Sequence, residues 1–228
     1  MKRGIAVKHT GIATGFINKC VEIDGKEYRY VVYVPREYDP DEAWPFVLFL
    51  HGAGERGKDG LLQTEVGLGR AIRRNPGRFP CIVAMPQCPS GVWWDSAVKE
   101  VEISSAVTLR EYNIDRERIY LTGISMGGYG TWIYGAKKTD VFAALMPVCG
   151  GGHVEDAPTL ATIPVWAFHG ADDEVVDPEE SRKMVEAVRS AGGTVKYTEF
   201  ENTGHNSWDD AYGEAKHIKW LLKQRRGR

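Results

Sequence analysis

Apolar and polar positions along the chain fall into two regimes. Residues 16–24 and 27–34 are rich in strand-forming side chains and are split by Gly25-Lys26, which predicts an antiparallel hairpin with a tight turn. A polar, proline-bounded loop follows from Pro35 to Pro45. From Phe46 onward, short apolar runs alternate with helical segments. Residues 46–50, 81–85, 119–122, 143–148 and 165–168 predict strands, apolar at most consecutive positions as in parallel strands covered on both faces. Residues 195–200 alternate and carry charge, which suits an edge strand.

Helices are predicted over 61–73, 96–112, 126–138, 179–191 and 208–222. In the second, Val98, Val101, Ser105, Thr108 and Tyr112 share one face at spacings of three and four. Pro178 is a suitable helix start, and Gly192-Gly193 a suitable stop. Strands alternating with helices predict an α/β fold: a mostly parallel sheet with right-handed crossovers and helices on both faces. Its site is expected beyond the carboxyl ends of the strands. There is no internal repeat or low-complexity linker, and 228 residues suit one domain spanning 1–228. The 16 residues between the runs ending at Val148 and starting at Val165 are too few for a helical lid domain, so an open pocket is expected.

Composition narrows the function little. A hydrophobic share of 43%, a charged share of 26% and a net charge of −2 give no field that argues for nucleic acid or an anionic membrane as partner. The basic end (Lys223, Arg225, Arg226, Arg228) reads as a solvated tail. No segment has the ~20 apolar residues a membrane span needs. Residues 1–14 carry Lys2, Arg3 and Lys8 without an apolar signal-peptide core, so a cytoplasmic location is expected, or a secreted one if the chain is a trimmed mature form. The four cysteines (Cys20, Cys81, Cys88, Cys149) form no C-x-x-C pair, and Cys81 and Cys149 read as buried thiols. Neither a metal nor a cofactor is expected, since H-E-x-x-H and P-loop motifs are missing.

The chemistry concentrates around Tyr120-Leu121-Thr122-Gly123-Ile124-Ser125-Met126-Gly127-Gly128-Tyr129-Gly130, an apolar strand running into G-x-S-x-G and then a helix. A serine hydroxyl works as a nucleophile only when lifted out of the packed structure and served by a base, an acid and oxyanion donors. Asp172 and Asp173 follow the strand ending in Phe168-His169-Gly170, and His205 follows residues 195–200 through Glu201-Asn202-Thr203-Gly204. The order is therefore Ser, Asp, His, each beyond a strand's carboxyl end. Between the two acids, G-x-x-D-x-x-V (Gly170, Asp173, Val176) favours Asp173, with Asp172 a turn residue. Oxyanion donors are expected from the N–H groups of Met126 and of Ala53, in the loop His51-Gly52-Ala53-Gly54-Glu55-Arg56-Gly57. His51 reads as a support for that loop. Glu55 and Arg56 are open to two readings, substrate contact or an exposed ion pair. Trp93 and Trp94, in the loop after residues 81–85, are candidates to line an acyl or aryl pocket. Trp132 reads as core, Tyr129 as packing, and Trp208 as a steadying group or substrate contact beside His205.

These motifs, with Pro86-Gln87-Cys88 and Gly204-His205-Asn206-Ser207-Trp208, make the chain resemble a compact α/β-hydrolase of the carboxylesterase and phospholipase/thioesterase-like group. Within it, the likeness is greatest to esterases labelled predicted peptidases, polyhydroxybutyrate-depolymerase-like or feruloyl-esterase-like. The resemblance runs from about residue 28 to the C-terminus. It implies a Ser125–His205–Asp173 triad acting through an acyl-enzyme on a small-molecule ester with short acyl or aryl groups. A serine peptidase or thioesterase of the same fold, and a non-catalytic binding protein, are the alternatives. The pattern departs from the group at Val176, which is followed by Asp177 before Pro178.

Overall fold

Residues 11–227 are described by a computed structural model. They build one eight-stranded sheet in the order β1-β2-β4-β3-β5-β6-β7-β8. The strands are β1 (Gly15–Ile23), β2 (Lys26–Val34), β3 (Trp44–Leu50), β4 (Ile82–Pro86), β5 (Ile114–Ile124), β6 (Ala144–Val148), β7 (Val165–Gly170) and β8 (Val195–Phe200). The expected hairpin is β1–β2, which joins the sheet antiparallel to β4, and every pairing from β4 to β8 is parallel. The helices are α1 (Leu68–Arg74), α2 (Val98–Glu111), α3 (Met126–Lys137), α4 (Ala157–Leu160), α5 (Glu179–Ser190), α6 (Trp208–Gly213) and α7 (Ala215–Lys223).

The pleat explains why the central runs are apolar without a break. Side chains alternate between faces, and both faces are covered. Along β3, Phe46, Leu48 and Leu50 enter one core with Leu121, Trp132 and Leu145. Val47 and Phe49 enter the opposite core with Tyr120, Met146 and Phe168. As expected, β8 lies at the sheet's edge, with Lys196 exposed and its other residues only partly covered.

Three expectations need correction. The helix over 61–73 survives only as α1, because Leu62–Thr64 forms a 3-10 turn and Gly67 adopts φ +61. The helix over 208–222 is two, broken where Glu214 turns extended (φ −91, ψ 119) after Gly213. The basic end is docked rather than solvated: Arg225 Nη1 lies 2.9 Å from Asp115 Oδ2, and the Arg226 amide donates to the Glu117 carbonyl. Lys2, Arg3, Lys8 and Arg228 lie outside the described residues. No helix among the described residues is long and apolar enough to cross a membrane.

Candidate active site

The β5–α3 junction holds Ser125 at φ 53, ψ −117, a backbone region that costs a non-glycine residue about 1–3 kcal/mol. Neighbouring glycines make that turn possible. A Cβ on Gly123 would stand 2.3 Å from the Gly127 carbonyl oxygen, and one on Gly127 would stand 1.9 Å from that of Leu50. The Ser125 amide donates to Val148 of β6 at 3.0 Å, and its carbonyl accepts from Tyr129 at 3.1 Å. The side chain is left partly exposed at the rim.

Two loops reach this rim from β7 and β8, and they are stitched together. The amides of Ala171 and Asp172 donate to the carbonyls of Phe200 and Thr203. A Cβ on Gly170 would collide with the carbonyl oxygens of Gly204 and Thr203 at 2.3 Å. The result brings Asp173, not the exposed Asp172, to His205. His205 Nδ1–H donates to Asp173 Oδ2 at 2.7 Å, and Ser125 Oγ–H donates to His205 Nε2 at 2.9 Å.

Asp173 is 6% exposed, so an ionised carboxylate there needs partners. Its Oδ1 accepts the amides of Val175 at 2.9 Å and Val176 at 3.0 Å. Burial pushes its pKa up, but the His205 hydrogen bond and the two amides outweigh that and hold it below the ordinary value. Asp177, the residue inserted before Pro178, caps α5 by accepting the Glu179 amide at 2.9 Å.

Ala53 and Met126 each occupy the first position of a helical turn, where an N–H has no acceptor within the turn. The loop bearing Ala53 is held from below. Fully buried His51 donates Nδ1–H to the Gly52 carbonyl at 2.6 Å and accepts the Cys88 amide at Nε2 at 2.9 Å. Burial lowers its pKa to about 4, which keeps it in the neutral tautomer those two bonds require. Gln87 adds a second clamp, accepting the Gly60 amide and donating to the Glu55 carbonyl.

The other candidates divide. Trp93 is 51% exposed and packs edge-on against Tyr129, one helical turn beyond Ser125, with ring centroids 6.2 Å apart. Tyr129 is therefore half-covered mouth rather than plain packing. Trp94 corrects the expectation of a pocket-lining pair: it is 2% exposed, stacks edge-on against His51 and donates its indole N–H to the His51 carbonyl. With its faces covered, it supports the loop from inside. Trp208 lies edge-on to His205, with ring centroids 5.2 Å apart. Trp132 is core at 1% exposure. Glu55 and Arg56 do not pair: Arg56 bonds the Ala53 and Val92 carbonyls. The Glu55 carboxyl instead folds over Gly52, where an added Cβ would meet Glu55 Oε2 at 3.0 Å and Ser125 Cβ at 3.7 Å. Burial raises the pKa of Glu55.

Two residues behind the site were not singled out as functional by sequence. His169 is fully buried, with Nε2 3.0 Å from the Val176 carbonyl and 3.2 Å from Asp173 Oδ2, and Nδ1 2.7 Å from Ser181 Oγ. Its place in His169-Gly170, just before the acid loop, was the available signal. Cys149, fully buried, follows β6 at φ +42, and burial pushes its thiol up to about 12. All four cysteines are free thiols.

Comparison with known proteins fits this geometry. A family pattern described as phospholipase/carboxylesterase matches residues 99–221. A bifunctional acetylxylan esterase/xylanase of Neocallimastix patriciarum is 27% identical over 163 residues, covering 69% of this chain and 23% of that protein. An uncharacterized secreted protein of Arthroderma benhamiae is 26% identical over 216 residues, covering 75% and 22%. The chain thus spans under a quarter of the length of these two relatives. Among solved structures, a thermostable esterase superposes with a TM-score of 0.84 at 38% identity, covering 92% of this chain and 63% of that one. The feruloyl esterase module from Clostridium thermocellum, complexed with sinapinate, gives 0.73 at 16% identity over 92% and 88%, a likeness of fold.

Proposed function

Because this chain belongs to the phospholipase/carboxylesterase family of α/β-hydrolases, we propose that it hydrolyses carboxylic esters with Ser125 as nucleophile, His205 as base and Asp173 as orienting acid. One observation carries the reading: an unbroken pair of hydrogen bonds, 2.9 Å and 2.7 Å, runs from a hydroxyl on a strained turn to a buried carboxylate. Such an arrangement lets an imidazole take the hydroxyl proton while its other nitrogen stays fixed.

In this reading Ser125 Oγ attacks the ester carbonyl carbon and His205 Nε2 takes its proton. The N–H groups of Ala53 and Met126 hold the oxygen that becomes negative. The C–O bond then breaks, His205 returns the proton to the departing alcohol, and the acyl group stays on Ser125. Water enters, His205 removes its proton, and the same sequence releases the acid. Asp173 remains ionised throughout, and its charge stabilises the transient imidazolium.

Short acyl or aryl esters fit best. The segment between β6 and β7 contains only a 3-10 turn and the four-residue α4, so nothing there covers the rim. Trp93 and Tyr129 offer an aromatic wall beside Ser125. The test is turnover of p-nitrophenyl acetate and butyrate together with fluorophosphonate labelling. Ser125→Ala must abolish both, and wild-type turnover by that variant would refute the nucleophile. Paired ester, thioester and anilide substrates separate an esterase from a thioesterase or peptidase.

A further inference from the structure

Behind the proposed acid–base pair lies a thiol that the esterase chemistry does not use. Cys149 Sγ, a carboxylate oxygen of Asp173 and a ring nitrogen of His205 all lie within 4.8 Å of one another. Among the described residues this is the one group of three or more cysteine, histidine and acidic side chains so placed. The sulfur is held there by a backbone that resists it. Cys149 takes φ +42 while its amide is tied to the Phe168 carbonyl at 2.8 Å. Ser207 Oγ, fully buried on the histidine loop, has no hydrogen-bond partner among the described residues.

We infer that Cys149, Asp173 and His205 form a binding site for a thiophilic divalent cation, Zn²⁺ or Cd²⁺, whose occupancy shuts off the esterase. The donor set decides the metal: thiolate with imidazole favours zinc-like ions, whereas Mg²⁺ and Ca²⁺ want oxygen ligands. Two donors on one tetrahedral zinc stand roughly 3.5 Å apart, so the widest pair here must close by about an ångström. Asp173 is pinned by two amides, but His205 rides on a loop whose Glu201, Asn202 and Gly204 are exposed. Its side chain is 20% exposed and provides the way in.

Binding forms metal–sulfur, metal–oxygen and metal–nitrogen bonds. The thiol proton goes to solvent, the single ring proton of His205 moves from Nδ1 to Nε2, and a water fills the fourth position. The consequence for catalysis follows from the imidazole's two nitrogens. With the metal on Nδ1, the neutral ring carries its proton on Nε2 and cannot accept the one from Ser125. The inhibition half of this inference rests on the proposed esterase reading; the binding half does not.

The experiment titrates the full chain with Cd²⁺ and follows the ultraviolet thiolate-to-cadmium charge-transfer band. In parallel, p-nitrophenyl acetate turnover is measured with and without Zn²⁺ and after EDTA. Expected are one saturating Cd²⁺ per chain and at least tenfold inhibition by Zn²⁺, reversed by EDTA. Cys20→Ser, which removes the exposed thiol, should behave as wild type. Cys149→Ser should lose the band, and its turnover with Zn²⁺ should match its own metal-free rate. Should Cys149→Ser fold poorly, His205→Gln keeps the thiol and must weaken Cd²⁺ at least tenfold. A band that persists in Cys149→Ser, or is absent in wild type, overturns the site. If no ester is turned over, the band still decides binding.

Discussion

The floor of the site and its mouth are built on opposite terms. On the floor, backbone touches backbone: added methyl groups at Gly123, Gly127 and Gly170 would all fall within 2.3 Å of a carbonyl oxygen. Ser125, His205 and Asp173 are joined by hydrogen bonds, and His51 and His169 support them from full burial. At the mouth, Trp93 is 51% exposed, and Trp93 and Tyr129 are related by a ring contact. The floor therefore tolerates almost no change, while the mouth can be rewritten without disturbing it. In the proposed function, reaction type would belong to the first region and choice of ester to the second.

The sharpest way to break this contrast is on the floor. Ser125→Ala should lower kcat by about 10⁵-fold or more, read by p-nitrophenyl ester kinetics, because the remaining groups lack a nucleophile. Asp173→Asn should follow, with a loss on the order of 10⁴-fold as the imidazole loses its fixed tautomer. Retention of more than a tenth of wild-type kcat by Asp173→Asn would show that the buried acid is dispensable.

His51 gives a smaller effect with a pH signature. Its pKa in the fold is about 4, against roughly 6.5 in an unfolded chain. A depressed pKa means that the unfolded chain binds the proton first. The stability it confers is complete above pH 6.5 and drains as pH falls from there towards 4, by about 3 kcal/mol at most. His51→Gln should flatten that decline in urea unfolding followed across the same window. His169 and His217, also lowered by burial, keep some slope in place. Trp93→Ala at the mouth should be mildest. It should raise KM for aryl esters up to about tenfold, leave acetate nearly untouched and shift Tm little. An equal loss on both substrates would mean that Trp93 serves the floor.

Much of the floor was legible because it is written in local patterns. G-x-S-x-G, G-x-x-D-x-x-V and the glycine-rich loop each occupy a few consecutive residues, and the apolar runs place each at a strand's end. What escaped depends on contacts distant in sequence. Trp94 and Trp93 are adjacent and alike in composition, yet one is sealed against His51 and the other faces outward. His169 matters through Val176 and Ser181, and Arg225 is fixed by Asp115, 110 residues earlier. The β5 strand begins five residues before its apolar run, because Ile114 pairs with Trp44 across a polar stretch that hydrophobicity skips.

The turn that lifts Ser125 carries a further implication for engineering robustness. Its dihedral angles are ones that only glycine adopts freely. A Ser125→Gly protein, though inert, should outlast the parent on heating, whereas Ser125→Ala, still bearing a methyl group, should not. In the proposed reading, part of the backbone strain that this fold stores sits on the very residue that would react.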